Sequence, residues 1–165
     1  MDNITFEDLK EEDLDEIVEI YNYYILNTTV IFFKKPFSKE EMKRLLYFDN
    51  AKYKTFVIKS LNKLCGYVVL GQYKKREAYD ETAEISIYLK DDYMGKGIGD
   101  FAIKFIENYA KEQKMHTLIA SICAENAKSI KLFEKNGFVK CAHYREIGKK
   151  FGKLLDVVDY QKIIS

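Results

Sequence analysis

A single proline (Pro36) and eight glycines in 165 residues leave little room for a long disordered linker. Histidine occurs only twice, at His116 and His143, and cysteine three times. Cys65, Cys123 and Cys141 stand far apart and form no CxxC pair, so no zinc-ligand spacing is present and no metal is expected. Each cysteine lies in an apolar, strand-like run. That placement reads as three reduced core thiols of a cytoplasmic protein, with a catalytic thiol as the other reading. No sign of charge dominates: 27 basic residues against 26 acidic ones give +1. This excludes a global attraction to nucleic acid or an anionic membrane and leaves only a local basic patch open. No apolar run approaches the ~18 residues of a membrane span. Residues 1–7 lack the basic and apolar regions of a signal peptide.

What is present is an ordinary globular balance, 47% hydrophobic and 32% charged, long enough for one core and one domain over 1–165. The 13 tyrosines and 11 phenylalanines are spread evenly. Interleaved with lysines, such rings can stack on single-stranded nucleic acid, but without an RNP-like pattern they read as core packing. Tyr21, Tyr23 and Tyr24 have a second reading as residues of a pocket or an interface.

Periodicity orders the chain as β-α-α-β-β-β-α-β-α-β-β. A short strand at 4–6 precedes a helix at 11–27 with Leu14, Ile17, Val18, Tyr21, Tyr24 and Ile25 on one face. A second helix, 38–48, opens on Ser38 and Glu41, a capping-box pair. Strands at 54–60 and 64–73 form a hairpin, and a charged link follows at 74–80. The strand at 82–89 alternates, with Ala83, Ile85, Ile87 and Leu89 on one face and Thr82, Glu84, Ser86 and Tyr88 on the other. A helix at 100–113, a strand at 117–123, and a helix at 127–135 ending on Asn136-Gly137 come next. Strands at 138–144 and 154–163 close the chain. The expected fold is α/β, one mixed sheet flanked by helices.

Two features carry chemistry. Tyr93-Met94-Gly95-Lys96-Gly97-Ile98-Gly99-Asp100 joins a strand to a helix. A glycine-rich turn there exposes backbone N–H groups beside a helix N-terminus, a ready site for a phosphate. The Asp100 carboxylate suits the helix dipole but repels a phosphate, so its side chain should point away. Glu84 sits mid-strand, and a carboxylate buried on a central strand is costly without a partner or a task.

The turn, together with Asn126-x-x-Ser129 and Leu132-Phe133-Glu134-Lys135-x-Gly137-Phe138, resembles the two cofactor motifs of the GNAT superfamily of N-acetyltransferases. Three further segments are similar to its phosphinothricin acetyltransferase-like family. They are Tyr21-Asn22-x-Tyr24-Ile25-x-Asn27-Thr28-Thr29, Arg76-x-Ala78-Tyr79-x-x-Thr82-x-Glu84-x-Ser86-x-Tyr88, and Gly148-x-Lys150-Phe151-Gly152-x-x-x-Asp156-Val157-Val158. The resemblance implies a single-domain GNAT fold with a mostly antiparallel sheet, a homodimer, and acetyl transfer from acetyl-CoA to the primary amine of an amino acid or analogue such as phosphinothricin or methionine sulfoximine. From charge, hydropathy and histidine and cysteine usage, no metal, nucleic-acid or membrane partner is expected. Glu84 would be the catalytic base. Gly95, Lys96, Gly97, Ile98, Gly99 and Asp100 would bind the pyrophosphate. Backbone groups of Ile87, Tyr88 and Leu89, with Asn126, Ser129 and Phe133, would line the path of the pantetheine arm. Phe32, Arg76 and Tyr79 would meet the substrate, and Lys150, Phe151 and Gly152 would shape the pocket or a dimer contact. Asp156 reads as structural.

The chain departs from the pattern at three places. Met94 replaces the usual Arg or Gln. Phe33 stands where an acid is common, and Phe133 where tyrosine or histidine serves as general acid. Water or Tyr88 must then protonate the leaving thiolate. The other readings are a polyamine or protein N-terminus as acceptor, or a non-catalytic acyl-CoA-binding module.

Overall fold

The structure, a computed structural model, describes residues 3–165; Met1 and Asp2, part of the signal-peptide reading, lie outside the described residues. The first strand, β1, is Ile4–Asp8. Helices α1 (Leu14–Asn27) and α2 (Lys39–Leu46) follow. Next come strands β2 (Lys54–Ser60), β3 (Lys63–Gln72) and β4 (Thr82–Leu89). Helix α3 (Ile98–Glu112), strand β5 (Thr117–Cys123) and helix α4 (Ala127–Lys135) lead to the closing pair β6 (Val139–Lys150) and β7 (Lys153–Ile163). The seven strands form one sheet in the order β1-β2-β3-β4-β5-β7-β6. Among the described residues only β4 and β5 pair in parallel; every other neighbour is antiparallel.

The sheet carries a helical layer on each face, as its two-sided apolar strands require. Ala102, Ile103, Ile106 and Ala110 of α3 pack on Ile58, Leu70, Ala83, Ile85, Leu118 and Ala120, and Phe133 of α4 joins the same cluster. On the other face Ile17, Ile20, Tyr21, Tyr24 and Ile25 of α1 and Met42 and Leu46 of α2 cover Val57, Tyr67 and Val69. Ile20, outside the expected stripe, is buried, whereas Val18 is half-buried. A helix wedged between a sheet and a second helix buries a wider arc than periodicity alone marks.

The capping box forms as read. Ser38 Oγ accepts from the Glu41 N–H, and Glu41 Oε1 accepts from the Ser38 N–H. α2 stops at Leu46, before the expected 48, because Tyr47 is already extended. α3 starts at Ile98 rather than 100, because Gly97 in the left-handed region (φ 81°) serves as its N-cap.

The largest departure is β6. It does not end at 144 but runs to Lys150, across a register shift between Tyr144 and Gly148. Glu146 takes φ 52° there, and Asp156 holds the irregularity by accepting from the Glu146 N–H at 2.7 Å and from His143 at 2.8 Å. The polar run Arg145-Glu146 and Gly148 hide a strand that continues past a bulge. Phe151 and Gly152, both with positive φ, make the two-residue turn into β7. β6 is one edge of the sheet, and this exposes Cys141; of the three expected core thiols only Cys65 and Cys123 are buried.

Candidate active site

β4 and β5 pair only at Thr82, Ala83 and Glu84 (opposite Thr117, Leu118 and Ile119). Beyond Glu84 the two strands diverge. β4 stays paired with β3 up to Leu89, and β5 with β7 up to Cys123. The result is a wedge whose β4 wall has no strand to bond to. The Lys90 N–H donates to the Cys65 carbonyl at 2.8 Å, on the β3 side. Strand alternation therefore turns the N–H groups of Ile87 and Leu89 the other way, into the wedge. The Leu89 carbonyl on that side accepts from the Tyr24 hydroxyl, which ties α1 to the end of β4.

A cavity in the wedge is lined by Tyr24, Ile87, Tyr88, Leu89, Met94, Asn126, Lys128, Ser129 and Phe133, among others. Met94 in its wall leads into the glycine-rich turn. Gly95 (φ 74°) and Gly97 (φ 81°) hold a left-handed backbone that side chains rarely adopt. The first N–H groups of α3, from Ile98, Gly99 and Asp100, lack intrahelical acceptors by helix geometry. The Asp100 carboxylate points away, as expected. It accepts from Lys135 at 3.0 Å and from Asn136 at 2.9 Å, joining the start of α3 to the end of α4. Partial burial pushes its pKa up, but those two hydrogen bonds outweigh it and hold the carboxyl below its usual value. Lys96 lies over the Tyr93 ring. Asn126 is the N-cap of α4: its Oδ1 accepts from the Ser129 N–H at 3.2 Å, which leaves the amide nitrogen free. Phe133 is buried edge-on to Phe138, with ring centroids 5.0 Å apart, and offers no proton.

Glu84 lines a second cavity, about 290 Å³, on the α1–α2 face of β4. Its other walls include Tyr21, Leu45, Phe48, Tyr67, Gln72 and Ser86. Tyr88 borders both cavities and so stands between them. Burial pushes the Glu84 pKa up, and the negative charge of Asp159 adds to the rise. Burial also pushes the Tyr88 hydroxyl up, which keeps its proton on at neutral pH. Tyr21 and Tyr24 are pushed up to about 12, again mainly by burial. Tyr67 is fully buried and its hydroxyl has no hydrogen-bond partner among the described residues. An orphaned buried hydroxyl costs about 1–3 kcal/mol, so Tyr67→Phe should raise the unfolding free energy by about that amount, read from denaturant melts.

The remaining expected substrate residues lie elsewhere. Arg76 and Tyr79 are on the link between β3 and β4, which folds on itself. The Arg76 guanidinium sits over the Tyr79 ring at 5.3 Å, Tyr79 meets Tyr73 edge-on at 5.6 Å, and Lys74 lies over both rings. Neither residue lines the Glu84 cavity. Phe32 packs against Gly148, so closely that a Cβ there would meet its ring at 2.5 Å. Lys150 is buried and donates to the carbonyls of Thr28 (2.8 Å) and Ile31 (2.6 Å), which pins the segment after α1 to the β6–β7 hairpin; burial lowers its pKa. The sequence reading missed Lys128 and Asp159. Lys128 follows Asn126 in the same motif and was legible there. Asp159 becomes a neighbour of Glu84 only through the pairing of β5 with β7.

The acetyltransferase (GNAT) domain model matches residues 7–158. A phosphinothricin N-acetyltransferase of Streptomyces coelicolor is 29% identical over 156 residues, covering 92% of this chain and 91% of that protein. An L-methionine sulfoximine/L-methionine sulfone acetyltransferase of Pseudomonas aeruginosa is 31% identical over 153 residues, covering 90% and 88%. Among solved structures, a phosphinothricin acetyltransferase from Sinorhizobium meliloti in complex with AcCoA superposes with a TM-score of 0.93 at 28% identity, covering 99% of this chain and 89% of that one. The two-sided sheet, the wedge and these matches agree: the chain belongs to the GNAT acetyltransferase family, in its phosphinothricin acetyltransferase-like branch.

Proposed function

We propose that the chain transfers the acetyl group of acetyl-CoA to the primary amine of an amino acid or amino-acid analogue, by direct attack in a ternary complex. The observation that carries this reading is the pair of neighbouring cavities, the wedge beside Ile87 and Leu89 where β4 leaves β5, and the Glu84 cavity, with Tyr88 lining both. The N–H groups of Ile98, Gly99 and Asp100 would take the pyrophosphate, with Lys96 and Lys128 supplying positive charge. The wedge would hold the pantetheine arm beside Asn126, Ser129 and Phe133. An N–H of Ile87 or Leu89 would polarise the thioester carbonyl.

Glu84 would remove a proton from the bound ammonium, directly or through one water. The amine nitrogen then bonds to the carbonyl carbon and loses its second proton to water, the carbon–sulfur bond breaks, and the electron pair leaves on sulfur. A thiol with a pKa near the ~8.5 of cysteine is a fair leaving group. Its proton can come from water or from the hydroxyl of Tyr88, a residue that lines both cavities. The names of the relatives support an amino-acid analogue as acceptor. The homodimer expectation finds support in β6, a sheet edge with Val139, Tyr144 and Ile147 exposed.

The test is thiol release from acetyl-CoA across phosphinothricin, methionine sulfoximine, methionine sulfone, free amino acids, polyamines and a short peptide. Turnover confined to the amino acids and their analogues supports the reading. Acetyl-CoA binding with no transfer to any of them would sink it and favour a binding module, the reading that Met94 and Phe133 suggest.

A further inference from the structure

Asp159 lies in β7, directly opposite Ser121 of β5. Ser121 Oγ donates to Asp159 Oδ1 at 2.7 Å, and only 8% of the aspartate is exposed. Ser121 comes from β5. From β6, Cys141 donates to the Asp159 backbone carbonyl and Tyr144 lies beside the carboxylate. From β4, Glu84 feels its charge. Tyr73 and Lys74, on the link before β4, lie near enough to Tyr144 to act on it by charge, while Tyr88 lines the Glu84 cavity. Among the described residues no lysine, arginine or histidine forms an ion pair with either Asp159 or Glu84. Two carboxylates thus share one face of the sheet at the closed end of the wedge, where Glu84 and Ile119 make the last β4–β5 pair.

Two such anions repel unless one takes a proton or a cation comes between them. Asp159 is the more firmly held, by the Ser121 hydroxyl, whereas Glu84 faces the cavity. The asymmetry assigns roles. We propose that Asp159 is a positioning residue for Glu84: its carboxylate, held by Ser121 on the same face of the sheet, makes Glu84 the group that takes and keeps the proton of the incoming ammonium. This rests on the reading of Glu84 as the base. An ordinary carboxylate is a weak base for an ammonium, and a base poised nearer the working pH is more effective. The rise already noted for Glu84 has the sign this role requires.

The experiment compares the wild type with Asp159→Asn, Asp159→Leu and Asp159→Glu. The leucine variant replaces a buried charge by an apolar group, a change that cores often tolerate, so the test does not hang on the hydrogen bond to Ser121. The pH profile of kcat/KM for the best amine should keep its acid limb in Asp159→Glu. In the asparagine and leucine variants the limb should move to lower pH, and kcat at neutral pH should fall about three- to tenfold, in line with a weaker base. KM for acetyl-CoA should hold. A lowered rate with an unmoved acid limb would leave Asp159 a packing residue and overturn the proposal. A carbon-13 NMR titration of the Glu84 carboxyl needs no turnover. It should show a lower midpoint in Asp159→Leu than in the wild type even if no amine on the panel is acetylated, and an equal midpoint sinks the proposal independently of the functional reading.

Discussion

Glu84→Gln is expected to lower kcat for amine acetylation by about 10²–10⁴-fold, the usual contribution of a positioned general base. Glutamine keeps the size and most of the polarity of the side chain but cannot take a proton from an ammonium. The loss should fall on kcat, because the glycine turn and the N–H groups of Ile87 and Leu89 lie outside the substitution. Affinity for acetyl-CoA, measured by calorimetry, should therefore change by less than about twofold, well under the ~1.4 kcal/mol of a tenfold effect. Wild-type turnover in this variant would remove Glu84 from the mechanism.

The same substitution should stabilise the protein. The Glu84 pKa is raised on folding, chiefly by burial and then by Asp159. A carboxyl raised above its unfolded value contributes stability that is fully present below that value, 4.5, and is lost as pH rises through the folded value. At pH 7 the wild type has lost that contribution, whereas glutamine has no proton to lose. Glu84→Gln should then melt above the wild type at pH 7, and the gap should narrow as the pH falls towards 5. A gap that widens on acidification would reverse the assigned sign. Function and stability pull apart at this residue, as is common where a site holds a buried charge.

How much of this was legible before the structure depends on whether the cause is local. The alternation of 82–89 placed Glu84, Ser86 and Tyr88 on one face, and the cavity lined by all three follows from it. Gly95 and Gly97 marked the turn, since a left-handed backbone has few other tenants. Ser38 with Glu41, and Asn126 with Ser129, marked their caps. The wedge was not legible, because it is a pairing that fails to continue, and no residue type announces that. The fate of Arg76 was not legible either. Its motif gave a place on the link, but stacking on Tyr79 is a property of how that link closes. Asp159 reads in sequence as one acid in an apolar run. Only the β5–β7 ladder shows what it faces.

Gly66→Ala is expected to have the largest effect on stability, a loss of about 3 kcal/mol, the upper end of the usual range for overpacking. Gly66 sits at the irregular end of β3, opposite Leu89 on one side and Ile58 on the other. A Cβ there would press into the Tyr88 carbonyl and lie 2.7 Å from Leu89 Cδ2 and 3.1 Å from Leu89 Cα. Two of these three neighbours are backbone and cannot retreat by changing rotamer. For a chain of this size the melting temperature should fall by about 6–12 °C. The contrast is Gly71 on the same strand, where a Cβ would find its nearest neighbours at 3.7 to 3.9 Å, ordinary contact. Gly71→Ala should stay within about 0.5 kcal/mol of the wild type. The two substitutions also separate in function. To make room at Gly66, the end of β4 must move away from β3, and that end carries the Leu89 N–H and the carbonyl held by Tyr24. Affinity for acetyl-CoA should drop in the folded fraction of Gly66→Ala and hold in Gly71→Ala. Equal affinities in the two variants would mean that the far end of the β4 wall plays no part in holding the cofactor.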